Sequence, residues 1–264
     1  MLQLTMLPVS LIHDEYQFIR VLQSFEATFA LVAVQLGAAV RALTDGGLDL
    51  APPHIVAAET ALREAAPLFS LVATMQVEAF QTFREFTDGA SAIQSRNYKI
   101  VESLCRQPDP SRLDSIAYLS VPEVRQRVLD GQVTLDSAFE TARADGRLGP
   151  ANVDDLEQAM GRFAATLLRW CRTHYRLAVR MLGERTGTGY TEGPPYLKAA
   201  QAIPVFRSLA QEEDVENVED DEGRAFAGGD EIAPAPTLAV IGARGRCPFA
   251  AGAVSRAMTA AAGA

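Results

Sequence analysis

One amphipathic segment restricts the fold of this chain more than any other feature. It begins at Asn152, a favourable N-cap residue with two acidic residues close behind it, and it runs to about Gly183 without a proline. Its apolar residues recur at helical spacing and form one continuous stripe. The stripe consists of Leu156, Met160, Phe163, Leu167, Trp170, Cys171, His174, Leu177, Ala178 and Met181. Because patterns typical of strands are almost absent elsewhere, the sequence predicts an all-α protein with long helices.

Further helices are predicted on both sides of this segment, each ending at glycine or proline. They cover Ser10 to about Leu43, Ile55 to Phe86 with a break or kink at Pro67, Ile93 to Arg106, two pieces between Val121 and Ala144 around Gly131, and Pro195 to about Glu213 with a bend at Pro204. Eight of the twelve residues from Gln211 to Glu222 are acidic, and Ala, Gly and Pro dominate the rest of the chain. We therefore expect a helical bundle domain over residues 1–210 and a disordered tail over 211–264. Nothing assigns a role to Cys247 within that tail.

Charge and cysteine content narrow the possible partners. A net charge of −9 and a pI near 4.9 argue against binding to nucleic acid or to an anionic membrane, since both need a concentrated positive face. The longest weakly polar run, Ala27 to Val40, falls short of the roughly 20 residues that span a bilayer. Met1 to Ile12 lacks a basic leader and a small-residue cleavage site, so we expect no secretory signal. The three cysteines show no CxxC spacing, which favours a reducing cytoplasm.

Histidine is scarce, and this limits the metal chemistry. The only histidines are His13, His54 and His174, and no two share a helix at metal-ligand spacing. A zinc or non-haem iron site built on histidines is therefore hard to assemble. A single histidine on a buried helical face is most often a core residue. It is also compatible with haem, which needs one strong protein ligand and an apolar pocket.

The glycine-rich loop at Gly187–Gly193 does not fit a nucleotide site. Its pattern is GxGxxxG and it follows a helix, whereas a dinucleotide fingerprint follows a strand. Glycines do allow the backbone to approach a ligand closely, so the loop suits a substrate lid. Hydrolase chemistry lacks support because the chain contains no GxSxG motif.

Specific motifs connect this loop to the long helix. Trp170-Cys-Arg-Thr-His174, then Arg180-Met-Leu-Gly183, then Gly187-Thr188-Gly189 and Tyr196-Leu197 follow one another. The segment resembles the haem-ligand helix and closing loop of tryptophan 2,3-dioxygenases, whose pattern is W-R-x-x-H, R-x-x-G, G-T-G-G-S-S-G and Y-L-R.

Two earlier blocks agree with the same family in the same order. His13–Ile19 resembles the family's H-D-E-x-L-F-I, and Ser91–Glu102 resembles its S-G-F-Q-S-x-Q-Y-R-x-I-E. Phe80–Arg84 fits the F-x-x-F-R that precedes the second of these blocks. The resemblance therefore extends from His13 to about residue 198.

The resemblance implies a role for six residues. His174 would bind the iron of haem b, Phe18 would pack against the aromatic substrate, and Thr188 and Gly189 would lie at its amino-acid end. Lys99 stands where the family has an arginine that grips the substrate carboxylate, and lysine offers a point charge in place of a two-pronged fork. Leu22 occupies the position of a distal histidine, so that polar group is missing.

The activity implied is cleavage of the indole C2–C3 bond of L-tryptophan or a related aromatic amino acid by O2, which gives N-formylkynurenine. Leu22, Lys99 and the altered loop, Tyr190-Thr191-Glu192, equally favour a relative that inserts one oxygen atom into an indole or phenol. A third reading is a non-catalytic haem- or ligand-binding protein in which His174 is a core residue. The family resemblance also implies a cytoplasmic homo-oligomer, either a dimer or a tetramer. The segment ahead of His13, which in the family helps to complete a neighbouring subunit's pocket, is shorter here.

Overall fold

The computed structural model describes residues 8, 10–86, 95–183, 185 and 193–209. All of them lie in the first of two units of the chain, Met1–Glu216 and Asn217–Ala264. Every regular element in the described part is helical, which confirms the all-α prediction. The α-helices are α1 (His13–Asp45), α2 (Ala51–Ala65), α3 (Leu68–Ala73), α4 (Val77–Phe83), α5 (Arg96–Cys105), α6 (Pro110–Leu113), α7 (Ile116–Leu119), α8 (Pro122–Leu129), α9 (Leu135–Ala144), α10 (Pro150–Leu182) and α11 (Pro194–Gln201), with short 3-10 helices at Leu48–Leu50 and Arg84–Phe86.

The two longest helices, α1 and α10, have 33 residues each and supply most of the core. Helix α2 packs against both of them, and α5 and α9 pack against α1. The buried face of α1 repeats at intervals of three and four residues, as one face of a helix requires. Its apolar members include Val21, Phe25, Phe29, Val32, Leu36 and Leu43.

Helix α1 is also long and apolar enough, by length and composition, to cross a membrane. The prediction from the Ala27–Val40 run did not include this candidate. In the structure one side of the helix is a core face, because Val32, Leu36 and Leu43 are fully buried against neighbouring helices. Core helices of soluble proteins pass the same test, so the finding is weak evidence for a membrane span.

Several predicted helix ends were wrong, among them those of α10 and α11. Helix α10 begins at Pro150 after an extended Gly149, and the side chain of Asn152 donates a hydrogen bond to Asp49 at 3.0 Å instead of capping the helix. Proline is favoured in the first turn because its missing N–H would have no helical partner there. Helix α11 ends at Gln201, well before Glu213, because Pro204 cannot supply the N–H that a continuing helix needs.

The start of α5 is tied to α1, and this tie positions the residues of the candidate site. The hydroxyl of Ser95 accepts a hydrogen bond from the N–H of Tyr98 at 3.0 Å and donates one to Glu26 of α1. The side chain of Asn97 donates to the Glu26 carbonyl at 3.2 Å. Tyr98 and Lys99, in the first turn of α5, are thereby held against the core.

Candidate functional site

His174 lies on α10, on the same face as Trp170, Leu177 and Met181. Its imidazole ring is 5.3 Å from the Trp170 ring, measured between centroids, and the side chain is half-buried. Burial lowers the pKa of His174 to about 4, because desolvation disfavours the charged imidazolium. The imidazole is therefore neutral at pH 7, which is the form that binds a metal.

Beside His174 lies a set of rings that we call the aromatic cluster: Phe25, Phe29, Phe69, Tyr98 and Trp170. Ring centroids of the first three lie 5.5, 5.1 and 5.3 Å from that of Trp170. Tyr98 stacks on Trp170 at 5.7 Å with an interplanar angle of 28°. These separations are typical of favourable aromatic pairs, so the rings hold Trp170, and the turn of α10 that carries His174, in a fixed place.

The sequence-predicted residues of α1 line an apolar surface. Phe18 is half-buried, and its ring packs 5.8 Å from Phe80 and 5.7 Å from Phe83. It shares a buried cluster with Met181 of α10. Seven residues further along α1, Phe25 contacts Trp170, so α1 and α10 run in opposite directions past each other. The half-buried Leu22, between Phe18 and Phe25, therefore faces the stretch of α10 that carries His174.

Lys99 belongs to a different environment, which we call the charged cluster: Lys99, Glu102, Arg112 and Tyr118. The Lys99 side chain is only 3% exposed, and its Nζ donates to Glu102 Oε2 at 2.6 Å. Nη2 of Arg112 donates to the other oxygen of Glu102. Burial alone raises the pKa of Glu102, but Lys99 and Arg112 together outweigh it and hold the pKa below its ordinary value. Glu102 is therefore an ionised carboxylate shared by two cations.

Two donors in the charged cluster have no acceptor among the described residues. They are Nε of Arg112 and the hydroxyl of Tyr118, whose side chain is fully buried. Lys99 Nζ lies 5.2 Å from the centre of the Tyr118 ring and 5.4 Å from that of Tyr98. Unpaired buried donors cost free energy, so they mark a place where an acceptor would be stabilised.

Tyr98 connects the aromatic and charged clusters. Its ring stacks on Trp170, and its hydroxyl pairs with the thiol of Cys171 at 3.5 Å. Burial is the main reason that the pKa of Tyr98 lies well above its ordinary value, so its hydroxyl keeps its proton. The two clusters are thus neighbours across one side chain.

The remaining motif residues have structural roles or lie outside the described part. His13 is largely exposed, while the carboxylate of Asp14 accepts the N–H of Gln76 at 2.8 Å and Glu15 is buried with a hydrogen bond from Ser10. Asp14 and Glu15 therefore anchor the start of α1. Thr188 and Gly189 lie outside the described residues.

The sequence analysis assigned no role to Glu102, Arg112 or Tyr118. Glu102 ends the Ser91–Glu102 block and lies three residues after Lys99, which is the helical spacing that brings two side chains together. That spacing could have been noticed. Arg112 and Tyr118 lie in the short helices α6 and α7, outside every motif, and only the tertiary structure brings them to Glu102.

The residues around His174 fit a haem group. No set of three or more His, Cys, Asp or Glu side chains in the described part could hold a bare metal ion. The neutral imidazole of His174 forms no hydrogen bond or ion pair with any described residue, so a ring nitrogen is available as a ligand. A single histidine in apolar surroundings meets the requirement of haem, because the porphyrin supplies four ligands of its own.

In its described part the chain is an all-α protein with a half-buried imidazole beside an aromatic cluster and a buried charged cluster next to that. Comparison with known proteins narrows the class. The chain is 26% identical over 242 residues to a tryptophan 2,3-dioxygenase from Anaeromyxobacter dehalogenans, which covers 75% of this chain and 85% of that protein. It is 25% identical over 223 residues to one from Nocardioides sp., with 75% and 83% covered.

A third relative is also a tryptophan 2,3-dioxygenase. The chain is 23% identical over 230 residues to a tryptophan 2,3-dioxygenase from Xanthomonas campestris pv. campestris, which covers 75% of this chain and 77% of that protein. No family model matches the chain. Its similarity is thus to tryptophan 2,3-dioxygenases, over three quarters of its length.

Proposed function

We propose that this chain is a haem-dependent oxygenase that acts on L-tryptophan or a closely related aromatic amino acid. The observation that carries the proposal is His174, a neutral imidazole that has no polar partner among the described residues and is held on α10 by the aromatic cluster. The similarity to tryptophan 2,3-dioxygenases supports the substrate class. His174 would hold the iron of haem b.

The proposed reaction is cleavage of the indole C2–C3 bond, in which both atoms of O2 enter the product and N-formylkynurenine forms. No external reductant is consumed. Haem, when bound, supplies the ferrous iron that activates O2. The protein's own contribution would be position: His174 would hold the iron, and Phe18 would offer a ring against which an indole packs.

The surface of α1 opposite His174 is apolar. Phe18, Leu22 and Phe25 are apolar and provide no group that could accept a proton. The proposed chemistry therefore uses no base from these three side chains. Lys99 stays a candidate for the substrate carboxylate, and Thr188 and Gly189 for its amino-acid end.

A second candidate function is insertion of a single oxygen atom into an indole or phenol. Leu22 is the specific observation in its favour, because it places an alkyl group where tryptophan dioxygenases carry a distal histidine. In that reaction the second oxygen atom leaves as water, and peroxide or O2 with a reductant supplies the oxidising equivalents.

For either function we propose a cytoplasmic homo-oligomer, as the sequence predicts.

Mass spectrometry of a turnover reaction separates these functions. The haem-loaded, reduced protein is incubated with tryptophan and O2, and the product mass is compared with that of tryptophan. A gain of two oxygen atoms supports cleavage, and a gain of one supports hydroxylation. If the wild-type protein does not bind haem, both oxygenase functions are wrong. The third interpretation, a non-catalytic helical protein, would then remain.

A further inference from the structure

The charged cluster carries more positive charge than its own carboxylate balances. Lys99 and Arg112 both contact Glu102, so two cations share one anion. All three side chains are largely buried, with Lys99 3%, Arg112 17% and Glu102 22% exposed. No second carboxylate among the described residues contacts Lys99 or Arg112. A buried charge without a counter-charge is strongly destabilising, so this place favours one further negative charge.

Unused hydrogen-bond donors lie at the same place. Nε of Arg112 and the hydroxyl of Tyr118 have no acceptor among the described residues, and Tyr118 is completely buried. Lys99 connects the two groups, because its Nζ lies 5.2 Å from the centre of the Tyr118 ring and it shares Glu102 with Arg112. Each donor would be satisfied by one oxygen atom of an anion.

The chemistry of these groups selects a carboxylate. A guanidinium with a free Nε, a phenol hydroxyl and a nearby ammonium together match the two oxygen atoms and single charge of that group. A dianion such as phosphate would overcompensate the one unbalanced charge. The partial exposure of Arg112 leaves an edge of the cluster open to solvent.

We propose that Arg112 and Tyr118, with Lys99 behind them, form a binding site for the carboxylate group of a ligand. The two carboxylates that the proposed function would bring to this protein are that of the amino-acid substrate and a propionate of haem, so this inference rests on that function. Glu102 holds both cations in place and is a positioning residue. The sequence assigned carboxylate recognition to Lys99 alone, but its ammonium is already paired, which makes Arg112 the donor with free capacity.

Two conservative variants test the site. Tyr118→Phe removes one oxygen atom and keeps the ring, and Arg112→Lys keeps the charge but loses Nε and the planar fork. In haem-loaded protein we expect each variant to weaken tryptophan binding by about 10- to 100-fold, the range for a hydrogen bond to a charged group. Tryptamine, which lacks the carboxylate, should bind all forms alike. Tyr16→Phe and Arg127→Lys, at exposed positions, are the matched controls.

The same titrations identify the source of the carboxylate. If haem affinity falls in Tyr118→Phe and Arg112→Lys while tryptophan and tryptamine binding stay unchanged, a propionate occupies the site. If tryptophan binding alone falls, the substrate does. If the two variants bind haem, tryptophan and tryptamine as the wild type does, the carboxylate site is refuted and the proposed oxygenase function still stands.

A haem-free measurement separates this inference from the proposed function. Acetate should raise the thermal unfolding temperature of the haem-free wild type and of the controls, but raise it much less in Tyr118→Phe and Arg112→Lys. If that difference appears in a protein that binds neither haem nor tryptophan, the oxygenase function fails and the carboxylate site remains. Circular dichroism of each variant verifies that the helices are intact.

Discussion

Helix α5 places two adjacent residues in opposite environments. Tyr98 enters the aromatic cluster beside His174, whereas Lys99 enters the charged cluster with Glu102. In the first environment burial acts almost alone and keeps His174 neutral, with its pKa lowered to about 4. In the second environment burial raises the pKa of Glu102, but the neighbouring Lys99 and Arg112 lower it by more, so Glu102 stays charged.

Under the proposed function, the two environments would serve the two halves of an amino-acid substrate. An indole ring and a haem plane need apolar surfaces without competing hydrogen bonds. A carboxylate needs fixed charge and donors shielded from water. Both are reached from one turn of α5, which is anchored to α1 through Glu26.

The largest expected effect comes from breaking the charged cluster. Glu102→Gln leaves Lys99 and Arg112 buried without an anion, and we expect it to lower the free energy of unfolding by about 3–5 kcal/mol. Chemical denaturation of the haem-free protein measures this value.

Glu123→Gln is the matched control for that variant. Glu123 also pairs with an arginine, Arg96, but both side chains are 49% exposed. Its removal should cost less than about 1 kcal/mol, as is usual for surface ion pairs. Equal losses in Glu102→Gln and Glu123→Gln would contradict the account of the charged cluster.

The acid side of the stability profile should also report on Glu102. In the unfolded chain a glutamate takes up a proton near pH 4.3, while Lys99 and Arg112 hold the folded-state pKa of Glu102 lower. Below about pH 5 the unfolded state therefore binds more protons, and stability falls as the pH falls. Denaturation midpoints are measured at pH 3.5, 4.5, 5.5 and 7, a series that brackets the unfolded-state pKa. The loss of stability with falling pH should be smaller for Glu102→Gln than for the wild type. Identical slopes would mean that Lys99 and Arg112 do not stabilise the ionised form of Glu102 in the folded protein.

The smallest effect is expected at the link between the two clusters. Tyr98→Phe removes the hydroxyl that pairs with Cys171 but keeps the ring that stacks on Trp170. Because a thiol is a weak hydrogen-bond partner, the cost should stay below about 1 kcal/mol and haem binding should be unchanged. A loss as large as that of Glu102→Gln would show that Tyr98 holds the charged cluster together.

The sequence predicted the parts of this molecule that depend on local pattern. The apolar stripe that contains Trp170 and His174 is a buried face of α10, and the predicted break at Pro67 separates α2 from α3. Helix ends were less predictable, since Asn152 is a good N-cap by type but donates its side chain to Asp49.

The charged cluster could not be predicted from the same patterns. Arg112 and Tyr118 lie in helices of four residues, which carry no periodic signal, and their meeting with Glu102 depends on how α5 to α7 pack. Lys99 was recognised only by its place in a motif. The roles of Phe18, Leu22, Thr188 and Gly189 stay predictions.

Haem binding by the wild type and three histidine variants tests the central claim most directly. We predict that the wild-type protein and the variants His13→Ala and His54→Ala bind haem with an intact Soret band, and that His174→Ala loses that band. His54, hydrogen-bonded to Gln35 at 2.7 Å, and the exposed His13 lie away from the aromatic cluster. A His174→Ala protein with the Soret band and haem affinity of the wild type would contradict the account.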